Sequence, residues 1–157
     1  MDAGPTAEAP IDALSLGARI AGSRAVQSPT VVATVVTVVY AALALLIVAQ
    51  TPAGDFAFVG QRFVSRSGTS ATIARHAHAT TKEGYDGQFA LYIALDPAHA
   101  APSIDKPAYR YSHLLYPLLA RAFAMGKASW VSAALIVVNL MAVFFGTLAL
   151  GLILRRL

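Results

Sequence analysis

Two uncharged apolar runs decide what this 157-residue chain can fold into. Thr30–Gln50 (TVVATVVTVVYAALALLIVAQ) has no Asp, Glu, Lys or Arg over 21 residues, and Trp130–Leu154 has none over 25. At about 1.5 Å of rise per residue, the first run as a helix matches a hydrocarbon core of about 30 Å, and the second crosses it with some tilt. A buried core helix of a soluble protein more often carries an apolar stretch of about 10–14 residues. The many Val and Thr residues of the first run do not predict a strand, because a backbone in lipid must close its own hydrogen bonds and an isolated strand cannot. Composition agrees: 57% of residues are apolar and 13% charged, against about 25% charged in soluble domains. The reading is an all-α membrane protein, with two transmembrane helices joined by a long external loop that carries short interfacial helices.

Charge sets the expected topology. Arg19 and Arg24 precede the first run, and Arg155 and Arg156 close the second. Both termini are therefore placed in the cytoplasm by the positive-inside bias, in a multi-pass protein of the inner (plasma) membrane. The segment between the runs holds eight basic residues from Arg62 to Lys127, but loops longer than about 60 residues translocate largely regardless of charge. The division is a disordered cytoplasmic tail at 1–29, spans at 30–50 and 130–154, an external segment at 52–129, and a cytoplasmic end at 155–157. The tail is rich in Ala, Gly, Pro and Ser, with a short helix conceivable over Ile11 to Ile20. An n-region of that length does not resemble a signal peptide. With no cysteine, an external segment must hold together without disulfides.

Within the external segment, Phe56, Phe58, Phe63 and Val64 around Gly60 read as a short aromatic strand or an interfacial patch, with Arg62 and Arg66 reaching headgroup phosphates. Ser67 to Thr81 is small and polar and reads as a mobile connector. His76 and His78 would share a face on a strand, but two His without a carboxylate or Cys nearby are a weak metal signal. No metal or other cofactor is assigned; a divalent metal is left open and is not indicated. The run Gly84-Tyr85-Asp86-Gly87-Gln88-Phe89 then brackets an acid between two glycines, which permits a tight turn and leaves the carboxylate uncrowded. Phe89, Tyr92, Ile93 and Asp96 follow at helical spacing, so a short amphipathic helix is expected near 87–96, ended by Asp96-Pro97. Asp86 fits two duties there, helix N-cap or catalytic carboxylate.

A second short helix is expected near 112–125, apolar on a broad face, kinked at Pro117 and ended by Gly126; it is too short to span and reads as interfacial. Arg110 and His113 at its start suit an anionic group, whether a substrate phosphate or a lipid headgroup. The tyrosines suit the membrane interface under either reading.

The blocks GYDGQF, ALDP and DKPAYRYSHLLYPLLA resemble the N-terminal region of a family of bacterial polytopic membrane proteins. These in turn look like GT-C type, mannosyltransferase-like glycosyltransferases, which take sugar from a polyprenyl-phosphate carrier. The similarity covers roughly Phe56 to Gly126 with the flanking spans. It implies that Asp86, which matches by position the acid of the first external loop, is the general base on the acceptor hydroxyl. In such a site Arg110 and His113 would face the lipid phosphate, with Asp105 as a second acid, and Tyr85, Gln88 and Tyr111 would bind sugar hydroxyls. GT-C enzymes have many more spans, so the chain is expected to be a fragment, or a short relative that works beside further transmembrane helices in the same or a partner chain.

The competing expectation is a non-enzymatic two-span protein that binds a partner. Asn139, Ala142 and Gly146 in the second span would support close helix packing and an interhelical hydrogen bond. The sequence has no Gly-rich phosphate loop, GxSxG elbow, HExxH helix or Cys/His metal spacing. The net charge of +4 suits anionic headgroups and indicates no nucleic-acid partner. Neither span carries an ionisable group that would suggest a channel.

Overall fold

The computed structural model describes residues 28–51 and 57–156. The expectations for Ile11 to Ile20 and for Phe56 lie outside these residues.

Helix α1, Pro29–Gln50, begins with proline at its first position, where the missing N–H is one that no helix bonds internally. Its threonines raise no polar cost in an apolar setting. Thr34 and Thr37 donate their hydroxyls to the carbonyls of Thr30 and Ala33 at 2.9 and 2.8 Å, and Thr51 closes on Ile47 in the same way at 2.7 Å. The last helix covers Val131–Leu154 and is preceded by a 3₁₀ turn at Ala128–Trp130. Both helices are long and apolar enough to cross a membrane, and only 6% of the most apolar window of each is buried. That separates them from core helices of a soluble fold, which are covered by protein.

Between them lie α2 (Gln61–Val64), α3 (Ala71–His76), α4 (Gly87–Leu95), α5 (Pro107–Tyr111) and α6 (Leu115–Phe123), with a 3₁₀ turn at Ala101–Ser103. The second long apolar helix, Val131–Leu154, is α7. Among the described residues there is no strand; one isolated parallel bridge joins Gly60 to Thr81.

The centre of this intervening body is α4. Gln88, Phe89, Leu91, Tyr92, Ile93, Ala94 and Leu95 are all buried, so α4 is a core helix rather than the amphipathic surface helix that its spacing predicts. The reason is visible in the residues off the expected face: Leu91, Ala94 and Leu95 make the helix apolar all round, and such a helix is stable only when enclosed. Phe63 meets Phe89 edge-on at 5.1 Å between ring centroids, and Phe89 meets Tyr92 at 6.2 Å. Val59, Ile73, Ile104, Ala120 and Ala124 complete the core.

Several local expectations are corrected. The segment around Gly60 forms α2 instead of a strand, which turns Phe63 inward. Arg62 pairs with Glu83 at 3.0 Å, and Arg66 donates to the Ile104 carbonyl at 3.0 Å while covering the Phe63 ring. Both arginines are therefore engaged by the chain. Ser67 to Thr81 contains a helix, α3, which Ser70 caps by accepting from Ile73 N–H, and Thr69 bonds the Ser103 hydroxyl at 2.8 Å. The helix expected over 112–125 is the shorter α6, Leu115–Phe123, and a separate short helix, α5, precedes it at Pro107–Tyr111. Pro117 falls in the first turn of α6, where it fits without a kink, and the chain before it turns through Ser112 to Leu114. Gly126, at φ +72°, ends α6 as the sequence suggests, with its N–H on the Arg121 carbonyl.

α6 packs against both α4 and α7, tying the central body to the second long helix. Tyr116 makes the link specific: its hydroxyl donates to the Leu135 carbonyl at 3.2 Å and accepts from Asn139 Nδ2 at 3.0 Å. α1 runs antiparallel to α7. A Cβ placed on Gly151 would stand 2.8 Å from Cβ of Pro29, so the start of α1 and the end of α7 meet closely where only glycine fits.

Candidate functional site

The site begins with two backbones that cross. A Cβ on Gly60 would run into the Glu83 carbonyl, and one on Gly84 would run into the Gln88 amide and the Gly60 nitrogen. Gly84 also has φ +76°, a conformation that costs other residues strain. Gln88 locks the crossing. Its Oε1 accepts from Gly60 N–H at 2.8 Å and from the Tyr92 hydroxyl at 3.2 Å, and its Nε2 donates to the Glu83 carbonyl at 3.4 Å. Gln88 is only 2% exposed, and these bonds hold its amide within the fold. Burial pushes the Tyr92 phenol up to about 12, so it remains a donor to Gln88.

The turn held this way presents Asp86 immediately before α4. Its carboxylate makes no bond to the first N–H groups of the helix. It accepts instead from Arg110 Nη2 at 2.9 Å. Arg110 also grips Asp105 with two bonds, Nε to Oδ1 at 3.0 Å and Nη2 to Oδ2 at 3.2 Å. The guanidinium lies 4.5 Å over the Phe89 ring and 5.5 Å from the Tyr109 ring centroid. Asp105 is held below the usual carboxylate range chiefly by its bonds from Arg110. Arg110 is pushed still further up by its bonds to Asp105, against some desolvation, and by Asp86. The cluster is graded in exposure: the Arg110 side chain is 19% exposed, Asp105 31% and Asp86 73%.

Two cavities meet at this turn. One, of about 640 Å³, is largely apolar and lies between Ile47 near the end of α1, Phe58, and Ser132, Leu135 and Asn139 of α7; Tyr85 and Gly87 form its edge. The other, of about 320 Å³, is lined by Asp86, Phe89, Tyr109, Arg110, His113 and Pro117, among others. Tyr116 lines both and stands as their common wall. Burial raises its phenol above the ordinary value, which keeps it protonated and bonded to Leu135.

The sequence-selected residues thus divide. Asp86, Asp105, Arg110 and His113 come together, with the His113 ring edge-on to Tyr109 at 5.1 Å and its Nδ1 within 3.0 Å of the Ser112 hydroxyl. Tyr85 is exposed on the apolar side of the same turn. Tyr111 lies apart, its hydroxyl donating to the Pro97 carbonyl at 2.8 Å, and burial raises its phenol. Phe89, Tyr109, Tyr116 and Asn139 belong to the site or its walls without having been selected. For the first three the available signal was the interleaving of aromatics with the charged residues.

Among the described residues no three His, Asp or Glu side chains gather in a way that could hold a metal ion. The position between the two carboxylates is filled by a cation of the chain itself. What the arrangement can do is bind an anion at a guanidinium and an imidazole, beside an exposed carboxylate and an apolar cavity. No protein-family model, curated protein or solved structure matches this chain.

Proposed function

We propose that this chain is a membrane-embedded unit of a GT-C type glycosyltransferase that transfers sugar from a polyprenyl-phosphate carrier, with Asp86 as general base. The observation that carries the reading is the position of the Asp86 turn, between an apolar cavity at the ends of two lipid-length helices and a polar cavity holding Arg110 and His113. An isoprenoid phosphate is an amphiphile with those two requirements. In the proposed reaction the acceptor hydroxyl oxygen attacks the anomeric carbon as its proton passes to Asp86. The bond from that carbon to the phosphate oxygen breaks, and the electron pair leaves with the lipid phosphate, stabilised by Arg110 and His113. Asp105 holds Arg110 in place, and Tyr85 offers a hydroxyl at the cavity edge. Both termini lie in the cytoplasm, residues 52–129 lie outside, and α6 rests at the interface with Leu115, Leu118, Leu119 and Phe123 toward lipid.

The test is transfer of radiolabelled sugar from polyprenyl-phosphate donors in membranes holding this chain, alone and beside candidate partner chains. Asp86→Asn should lower transfer by about 10²-fold or more with insertion unchanged. Equal transfer by the variant would remove Asp86 from the base role.

A second reading, a partner-dependent subunit without its own catalysis, is favoured by one observation. Ala142 is exposed and a side chain at Gly146 would meet nothing within 4 Å, so the small-residue face of α7 is uncovered by the described residues.

A further inference from the structure

The three bonds that Arg110 makes are unequal. Asp105 is held at both oxygens, sits five residues away on the same stretch of chain, and is mostly covered. Asp86 is held at one oxygen, comes from a different element, and is largely in solvent. One guanidinium charge therefore faces two carboxylates, and the cluster as it stands is net negative. An anion entering the cavity beside Arg110 and His113 would meet that negative charge unless one carboxylate withdrew. The geometry decides which one: Asp86 gives up a single exposed bond, whereas Asp105 would give up a two-point grip. Nη1 of Arg110 makes no hydrogen bond to the described residues, so a guanidinium that keeps Asp105 still has donors for a phosphate.

We infer that Arg110 is the seat of a phosphate-ester site whose resting occupant is Asp86, so that a bound phosphate displaces this carboxylate and leaves it free beside the ligand. The inference deepens the transferase reading, on which it rests for the use made of the released carboxylate: the base becomes available only when the donor's phosphate is in place. The competition itself is a matter of binding and needs no turnover.

The experiment is calorimetric titration of the full chain in dodecyl maltoside, a phosphate-free detergent, with decyl phosphate in one arm and inorganic phosphate in the other. Asp86→Asn removes the competitor and should tighten decyl phosphate binding by about five-fold or more. Asp105→Asn removes the same charge but loosens Arg110, and should weaken binding. Arg110→Gln should abolish it, and Asp96→Asn, a carboxylate at the other end of α4 that lines neither cavity and pairs with His99, should leave it within about two-fold. Affinity for decyl phosphate alone identifies a lipid phosphate as the ligand; equal affinity for inorganic phosphate identifies a free one, and both support the site. Absence of binding by both wild type and Asp86→Asn would overturn the inference, as would equal tightening by Asp86→Asn and Asp105→Asn. Competition without sugar transfer would keep the anion site and sink the transferase reading. Transfer without competition would do the reverse.

Discussion

Gly60 and Gly84 occupy the same crossing from opposite sides, and each excludes a side chain from the other. The backbone of one lies where the Cβ of its partner would stand. Gly84 carries the further demand of a positive φ, so the two constraints coincide at one residue of the turn that presents Asp86.

Gly84→Ala should therefore lower stability by about 1–3 kcal/mol, read as a fall in melting temperature of the detergent-solubilised chain. Gly87→Ala is the contrast. There a Cβ would meet only the Tyr85 ring, at 3.8 Å, and alanine is the better helix former, so stability should hold or rise by about 0.5–1 kcal/mol. Equal losses at both positions would show that the crossing is not what makes Gly84 necessary.

The Tyr116–Asn139 hydrogen bond, at 3.0 Å, fastens the central body to α7 at the wall of both cavities. Tyr116→Phe and Asn139→Leu should each cost about 1 kcal/mol. The double variant should cost less than the sum of the two by about 0.5 kcal/mol or more. Strict additivity in that cycle would mean that the two side chains do not act as a pair.

The Asp105–Arg110 grip gives stability a defined response to acid. Asp105 titrates below its ordinary range when folded because Arg110 bonds its charged form. The unfolded chain consequently binds that proton first as pH falls. The grip contributes fully above the unfolded value, near pH 4, and is lost as pH drops through the lower folded value. The melting-temperature difference between wild type and Asp105→Asn should be constant from pH 7 to about pH 5 and then shrink toward pH 2. A difference that widened on acidification would contradict this sign.

What the sequence revealed depended on how local the cause was. An uncharged run is its own evidence, so the helices expected over 30–50 and 130–154 are found at Pro29–Gln50 and Val131–Leu154, each long and apolar enough to cross a membrane. Gly87 and Asp96-Pro97 likewise bounded α4 within a residue of its end at Leu95. Its surroundings were another matter, since nothing local to α4 states that α2, α3 and α6 enclose it. Arg121 shows the same limit: it donates to the carbonyls of Ala94 and Leu95 at 3.0 and 2.7 Å, satisfying the last turn of α4. That partner lies more than twenty residues away, and no periodicity announces it. The partners that Arg62 and Arg66 find within the chain, Glu83 and the Ile104 carbonyl, are equally remote in sequence. In the site, Asp86 and Arg110 were each selected for their chemistry, but their contact across 24 residues is a property of the fold alone.

The close contact of Pro29 with Gly151 limits how near α1 and α7 can lie at that end. In α1 the buried residues are Pro29 and Ala33, whereas Ile47, about 27 Å further along at 1.5 Å per residue, borders the apolar cavity. Over that length a change of about 2° in the angle between the helices displaces Ile47 by about 1 Å, so the cavity's width follows the crossing angle of the pair as well as the side chains that line it.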